Sequence, residues 1–306
     1  MTDIYSPYGQ YYYVPMTQGG AIPVPVTVGC SWNRCLYCDL NHGNAFRVLS
    51  EERIRESLAQ LKNRYSHLRI PPKKALMMGG NPFCLSTERL LSIAEEIRMA
   101  FPQVCSISAF ARSDDILRKS REELLALRAA GMNELSIGVE SGSDAVLEYH
   151  DKGETALQQI QAMQLLEETG FNYSTYIMLG LGGRALSQEH AIQTGRLLSV
   201  VKPNVIIVVT LVAFSNAPLV ERIRSKDFLR LSPRESVQEQ IRMLEEIEGS
   251  QSIYNATHKT NALLIKGKLP EQKAQLLSKM REFLETHSDR QLLAAERRKW
   301  TRWDKE

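Results

Sequence analysis

Cysteine is scarce in this sequence, whose 306 residues include five cysteines. So few thiols at irregular spacing argue against a disulfide framework and indicate a reducing compartment. The sequence also lacks an apolar run of about 18 residues, the length that spans a bilayer. Its first residues lack the charged segment and apolar core of a signal peptide. We therefore expect a cytoplasmic protein that has no membrane partner.

The sequence also lacks a large excess of charge of one sign. Lys and Arg number 38 against 35 Asp and Glu, which leaves a net charge of +3. This near-neutral balance neither requires nor excludes a nucleic-acid partner. Basic and aromatic residues concentrate in the terminal stretch 292–303. We expect this stretch to be a terminal helix docked on the domain, and deletion of residues 288–306 to leave activity largely intact.

Three of the five cysteines stand close together, as Cys30, Cys35 and Cys38. Three thiolates on one short loop can bind a metal centre, and soft sulfur ligands select zinc or an iron–sulfur cluster. Structural zinc normally takes four Cys or His ligands, and His42 is the only histidine nearby in the sequence. An iron–sulfur cubane held by three cysteines would keep one iron open for a small molecule.

Short β-rich segments alternate with helical patterns from about residue 22 to residue 248. The predicted strands cover residues 24–28, 75–78, 106–110, 135–139, 173–179 and 205–212. The predicted helices cover residues 51–65, 156–169, 187–200 and 233–247, with two more starting at Thr87 and after Ser120. Strands separated by helices predict a parallel sheet with right-handed crossovers. Periodicity leaves an open doubly wound sheet and a barrel as alternatives.

Chemically distinctive residues follow each predicted strand. They are Cys30, Gly79-Gly80-Asn81, Arg112-Ser113, Glu140-Ser141-Gly142, Gly180 to Gly183, and Phe214-Ser215-Asn216. Ligands of parallel α/β folds bind at the carboxyl ends of the strands. Six separate segments therefore predict a single site.

These features resemble the radical S-adenosylmethionine (SAM) superfamily over roughly residues 20–285. The resemblance rests on the cysteine triplet, on Tyr37 before its third cysteine, and on Gly79-Gly80 after the second strand. The C-x4-C-x2-C spacing, where most members have C-x3-C, is similar to an uncharacterised subgroup related to the Elongator/methylthiotransferase-like branch. The resemblance implies an α/β fold, a partial (β/α)6 TIM-like barrel with a C-terminal helical extension. The implied domains are an N-terminal extension (1–20), a core barrel (21–250) and C-terminal substrate-side loop and helices (251–306).

The resemblance also implies roles for individual residues. Cys30, Cys35 and Cys38 would hold a [4Fe–4S] cluster whose fourth iron binds SAM. The implied SAM-binding residues are Tyr37, Gly79, Gly80, Asn81, Arg112, Glu140, Ser141, Lys152 and Gly180. The family often has an acidic residue where Asn81 stands here. The polar run after the last predicted strand, read as a loop, supplies the substrate-contact candidates His258, Lys259 and Asn261.

The implied reaction is reductive cleavage of SAM to a 5′-deoxyadenosyl radical, which abstracts hydrogen from a small-molecule or cofactor-like substrate. A flavodoxin or ferredoxin would donate the electron. One alternative is a radical SAM enzyme that modifies tRNA or other RNA, although no recognisable nucleic-acid motif favours it. The other is a non-catalytic iron–sulfur or zinc-binding protein, which explains the cysteines but not the marked ends of the other strands.

Overall fold

The computed structural model describes residues 4–5, 11–41 and 44–303. His42 lies outside the described residues. The chain divides into two compact units. Unit 1 comprises Met1–Gly138 and Gln161–Ser174, and unit 2 comprises Val139–Ile160 and Thr175–Glu306. Within the described ranges, no helix combines the length and the apolar character that a membrane crossing demands.

Twelve strands occur in the described part of the chain. They are β1 (Ile4–Tyr5), β2 (Tyr11–Tyr12), β3 (Ile22–Pro25), β4 (Thr27–Val28), β5 (Arg47–Val48), β6 (Lys74–Met78), β7 (Ser106–Ala111), β8 (Met132–Glu140), β9 (Asn172–Leu179), β10 (Val205–Thr210), β11 (Ile253–Ala256) and β12 (Ile265–Lys268). Eight strands are hydrogen-bonded in the order β12-β11-β10-β9-β8-β7-β6-β3. The pairs β3–β6, β6–β7, β7–β8 and β10–β11 are parallel, which confirms the predicted α/β class.

Several of the helices begin at a serine that caps them. The helices are α1 (Glu51–Tyr65), α2 (Thr87–Ala100), α3 (Ser113–Leu117), α4 (Arg121–Ala129), α5 (Asp144–Tyr149), α6 (Ala156–Thr169), α7 (Gly183–Val200), α8 (Leu219–Arg224), α9 (Pro233–Glu246), α10 (Lys273–Thr286) and α11 (Asp289–Trp303). The Ser50 hydroxyl accepts from the Arg53 amide at the start of α1, and Ser120 forms a capping box on α4. Ser86, one residue before the predicted Thr87, caps α2.

Several predicted boundaries differ from the structure, and two of the differences concern the pairing of strands. The first predicted strand is split into β3 and β4, because β3 pairs with β6 whereas β4 turns away to pair with β5. The polar run predicted to be a loop is a loop at residues 257–264, but its two ends belong to the antiparallel strands β11 and β12. Buried and exposed residues alternate along β12. Its two exposed lysines make the segment resemble a polar loop in the sequence. Such lysines suit an edge strand, because they discourage further pairing.

The residues just before β3 pack against the sheet of unit 1. Val14 packs on the cluster formed by Leu76 and Met78. Gln18 is buried, and its amide Nε2 donates to Glu134 Oε1 at 2.6 Å. These contacts join the end of the predicted N-terminal extension to the core of unit 1.

Candidate functional site

The three cysteines lie on the loop between β4 and β5 of unit 1. Cys30, Cys35 and Cys38 are half-buried, and Tyr37 among them is buried. The Cys38 amide donates to the Cys35 carbonyl at 3.1 Å, which closes a turn. Burial, with smaller contributions from the neighbouring Cys35 and Cys30 thiols, raises the pKa of the Cys38 thiol to about 12. Such a thiol ionises when a metal takes the place of its proton.

A single metal ion and a cluster make different demands on this loop. Across residues 4–5, 11–41 and 44–303, no group of three or more His, Cys, Asp or Glu side chains has single-ion geometry. In an iron–sulfur cubane each cysteine thiolate binds its own iron, so the sulfur atoms stand further apart than around one ion.

The Gly79-Gly80 turn after β6 lies directly against the cysteine loop. The Gly80 amide donates to the Gly29 carbonyl at 3.0 Å. A Cβ at Gly80 would come within 2.7 Å of the Cys30 Cβ, and one at Gly79 would come within 1.9 Å of Thr27 Oγ1. The sequence predicts these glycines to admit a ligand. In the structure, the glycines allow the turn after β6 to pack closely against the cysteine loop. This contact sets the position of Cys30.

Asn81 connects the same turn to the cysteine loop and to α3. Its Nδ2 donates to Ser31 Oγ at 2.8 Å and to Asp115 Oδ2 at 2.5 Å. Its Oδ1 is buried and accepts no hydrogen bond from any described residue. An unpaired buried acceptor costs about 1–3 kcal/mol. An N–H donor on a bound molecule would satisfy it, as the predicted contact with the SAM amino group requires.

A stacked aromatic residue brings Arg112 to the cysteine loop. Arg112 is buried, its guanidinium carbon lies 4.7 Å from the Trp32 ring centroid, and its Nε donates to Asp114 Oδ1. Arg34 lies 4.8 Å from the same ring centroid. Cation–π contacts of this kind contribute about 0.5–2 kcal/mol each. Sequence reasoning missed Trp32, although an aromatic residue inside the cysteine loop was a usable signal.

Glu140 ends β8 in unit 2 in a strained backbone conformation. Its φ is 63°, which is uncommon for a residue other than glycine, and such strained residues cluster at functional sites. Burial raises the pKa of Glu140 to about 7, while Lys152 lowers it and Glu154 raises it. Lys152 is buried, with Nζ 3.6 Å from Glu154 Oε2. Two residues predicted separately, Glu140 and Lys152, therefore share one electrostatic environment.

Ser141 and Gly180, also predicted to contact SAM, are held from inside unit 2. Ser141 is buried, and its Oγ lies 2.8 Å from His190 Nδ1. Gly180 has a φ of 80°, and its amide donates to Glu239 Oε1 at 2.6 Å. The Ser141 hydroxyl therefore anchors a loop. Glu239 belongs to no sequence motif, so sequence reasoning missed it.

The substrate candidates take up different positions in unit 2. Asn261 is buried, its Nδ2 donates to the carbonyls of two strands, and its Oδ1 accepts from the Thr210 hydroxyl. This use of the whole amide indicates that Asn261 holds the β11–β12 loop in place. His258 is buried, with Nδ1 2.8 Å from Thr260 Oγ1, whereas Lys259 is exposed. Contact of any of the three with substrate stays a prediction.

A cavity in unit 2 opens at the carboxyl ends of β9 and β10. Its lining includes Gly180, Thr210 and Thr260, together with Leu292 and Glu296 of α11. The terminal helix thus exists as predicted. Because it lines this cavity and buries Leu292, we now expect its deletion to reduce activity.

The sequence of this chain is similar to those of known proteins. The family model described as the Radical SAM superfamily matches residues 24–194, more than half of the chain. The heme chaperone HemW of Bacillus subtilis is 30% identical over 166 residues, which cover 52% of this chain. The chain spans 43% of that relative's length.

Two solved structures share the fold. The cobalamin-dependent radical SAM enzyme OxsB, with aqua-cobalamin and SAM bound, has a TM-score of 0.56 at 17% identity, covering 87% of this chain and 46% of that one. Elp3 of Methanocaldococcus infernus has a TM-score of 0.52 at 15% identity, covering 88% and 64%. At these identities the likeness confirms the α/β fold with a mostly parallel sheet, consistent with the predicted partial barrel.

Proposed function

Because the chain belongs to the radical SAM superfamily, we propose that it cleaves SAM reductively and abstracts hydrogen from a small-molecule or cofactor-like substrate. The chain is an enzyme of this class, whose members bind a [4Fe–4S] cluster and SAM. One observation carries the proposal: the loop with the three half-buried thiols packs against the glycine turn after β6, where Asn81 Oδ1 is an unsatisfied acceptor. The relation to the Elongator-like branch stays a prediction.

The residues of unit 1 fit the cofactor. When bound, a reduced cluster supplies one electron to the SAM sulfonium, whose S–C5′ bond breaks to give methionine and a radical that takes hydrogen from substrate. Cys30, Cys35 and Cys38 would hold the cluster. Asn81 Oδ1 would accept a hydrogen bond from the SAM amino group, and the buried Tyr37 would shield the loop from water.

The residues of unit 2 would orient SAM. Glu140, whose backbone is held in a left-handed conformation, would accept hydrogen bonds from the ribose or the methionine part. Lys152 would pair with the SAM carboxylate, because it is a buried cation. Gly180 would present its backbone to the adenine. The polar residues of the β11–β12 loop would contact the substrate.

The substrate class follows from charge. RNA-modifying enzymes rely on phosphate contacts for much of their affinity, whereas the net charge here is +3. A small substrate is therefore favoured over RNA. Each SAM cleavage consumes one electron, so a one-electron carrier such as flavodoxin or ferredoxin is the proposed partner.

Anaerobic reconstitution tests the chemistry. We expect about four iron and four sulfide per chain, an EPR signal of the reduced cluster that SAM perturbs, and dithionite-driven formation of 5′-deoxyadenosine and methionine. Tightly bound zinc with no iron uptake would overturn the assignment.

Deuterium tracing then tests the substrate class. The enzyme is incubated with SAM and either the small-molecule or the RNA fraction of cells grown in D2O. Deuterium in 5′-deoxyadenosine from the small-molecule fraction alone supports the proposal. Deuterium from the RNA fraction alone would favour the RNA-modifying alternative.

A further inference from the structure

A buried carboxylate on α9 holds the turn that follows β9. Glu239 is 3% exposed, and its Oε1 accepts the Gly180 amide hydrogen at 2.6 Å. Its Oε2 accepts from the Ser187 hydroxyl on α7 at 2.5 Å. Both oxygens are therefore engaged by the two ends of the segment 180–187, in which Gly180 has a left-handed φ of 80°.

The same carboxylate faces a histidine that reaches the end of β8. His190 is fully buried, with Nε2 3.7 Å from Glu239 Oε1 and Nδ1 2.8 Å from Ser141 Oγ. The Ser141 hydroxyl also accepts from the Ser143 amide at 3.0 Å. Ser141 directly follows the strained Glu140. A chain of hydrogen bonds and close contacts thus connects the β9 turn with the β8 end inside unit 2.

This chain of groups is costly to bury. Desolvation raises the pKa of Glu239 to about 7 and lowers the pKa of His190 to about 4. A packed apolar side chain at position 239 would avoid that desolvation. It would leave the Gly180 amide and the Ser187 hydroxyl without an acceptor. The carboxylate therefore acts on geometry more than on overall stability.

We propose that Glu239 is a positioning residue for SAM, fixing the Gly180 turn directly and the Glu140–Ser141 end of β8 through His190. This inference rests on the proposed function, in which both segments contact SAM. Glu239 itself touches no reacting atom. Its effect is to hold two binding segments of unit 2 in one arrangement before SAM arrives, which lowers the ordering cost of binding.

Two substitutions separate the hydrogen bonds from the charge. Glu239→Leu removes both acceptors, and we expect SAM binding about tenfold weaker or more, since unpaired buried donors are costly. Glu239→Gln can still accept from the Gly180 amide and can donate to the Ser187 hydroxyl, so we expect affinity within about threefold of wild type. Glu245→Gln, later on α9 and exposed, where the carboxylate pairs with Arg281, is the matched control and should bind SAM like wild type.

The measurements use reconstituted holoenzyme. Equilibrium dialysis gives SAM affinity, steady-state assays with dithionite give KM and kcat for SAM cleavage, and iron content and the EPR spectrum without SAM report on the cluster. We expect E239L to raise KM for SAM while iron content and the SAM-free spectrum stay unchanged. A general structural defect would instead lower iron content in step with affinity, and would overturn the positioning role.

Other outcomes decide the remaining alternatives. Unchanged SAM affinity in E239L, or an E239Q defect as large as that of E239L, would overturn the inference. If E239L does not fold, Ser187→Ala decides: weaker SAM binding with normal iron supports the role, and unchanged binding refutes it. Failure of the wild-type enzyme to cleave SAM would remove the proposed function itself, and is recognised independently of any Glu239 variant.

Discussion

The strand ends of unit 1 and unit 2 are held in place by different means. In unit 1, close glycine contacts and the Asn81 amide, which is bonded to Ser31 and to the buried Asp115, bring the β6 end against the cysteine loop. In unit 2, buried ionisable groups hold the ends of β8 and β9, as Glu140, His190 and Glu239 show.

This contrast matches what each unit has to bind in the proposed reaction. A cluster is held through its three thiolates, so the positions of the cysteines matter most, and close backbone packing fixes them. A cationic, zwitterionic molecule such as SAM requires fixed charges and polar groups whose positions do not change on binding. Substitutions in the cysteine loop and at its Gly80 contact should therefore reduce cluster content, whereas substitutions at the strand ends of unit 2 should reduce SAM affinity.

The largest expected effect is loss of the cluster. Replacing Cys30, Cys35 or Cys38 by Ala should abolish iron binding and all SAM cleavage, because each thiolate binds a separate iron. Cys105→Ala, an exposed thiol in unit 1, is the control and should leave iron content unchanged; we expect the same of Cys84→Ala. Retention of four iron in any triplet variant would contradict the ligand assignment.

The next effect tests whether close backbone packing positions the cluster loop. Gly80→Ala places a Cβ within 2.7 Å of the Cys30 Cβ and 2.8 Å of the Gly29 carbonyl oxygen, so backbone must shift. Overpacking of this kind costs about 1–3 kcal/mol, and we expect iron content per chain to fall. Gly19→Ala meets no atom within 4 Å and serves as the control. Normal iron content in G80A would show that the turn does not position Cys30.

A smaller, selective effect is expected at Glu140. Glu140→Gln removes the charge, and we expect SAM affinity to fall about tenfold at unchanged iron content, as for loss of a charge-assisted hydrogen bond. Glu140→Gly should weaken SAM binding similarly but relieve the left-handed backbone strain, so its melting temperature should not fall. The exposed Glu148→Gln on α5 is the control. Iron loss in E140Q would break the distinction between the two units.

The smallest effect is a change in the pH dependence of stability. The pKa of Glu239 is raised from 4.5 to about 7 by burial, so its contribution is fully present below pH 4.5 and is lost as pH rises through about 7. Glu239→Gln should flatten this part of the profile by about 1–3 kcal/mol. Urea unfolding of both proteins at several pH values between 4.5 and 8 measures it. Parallel profiles would show that Glu239 does not titrate in this range.

His190 provides an opposite pH signature. Its pKa is lowered from 6.5 to about 4 by burial and by the nearby His150. The stability it contributes is therefore present above pH 6.5 and lost as pH falls through about 4. Because wild type and E239Q both contain His190, its contribution between pH 6.5 and about 4 largely cancels in the difference between the two profiles.

Local chemistry made much of the fold predictable. Helices α1 and α6 have the predicted bounds, because a serine cap or a C-terminal glycine lies next in sequence to the residues it ends. The cysteine triplet can be recognised in the sequence for the same reason, since its three cysteines lie within nine consecutive residues. Strand β12 was not predicted, because it has four residues, two of which are lysines. A segment this short does not show the alternation of apolar and polar residues that indicates a strand.

By itself, the sequence determined the cysteine triplet, the alternating α/β order and the marked strand ends, all of which depend on residues close together in the chain; that the triplet holds a cluster stays a prediction. Only the tertiary structure decided which groups hold those strand ends. Asn81 and Asp115 are 34 positions apart, and Gly180 and Glu239 are 59 apart. No local pattern records such pairs, because the free energy that brings them together comes from burial and packing of the whole unit.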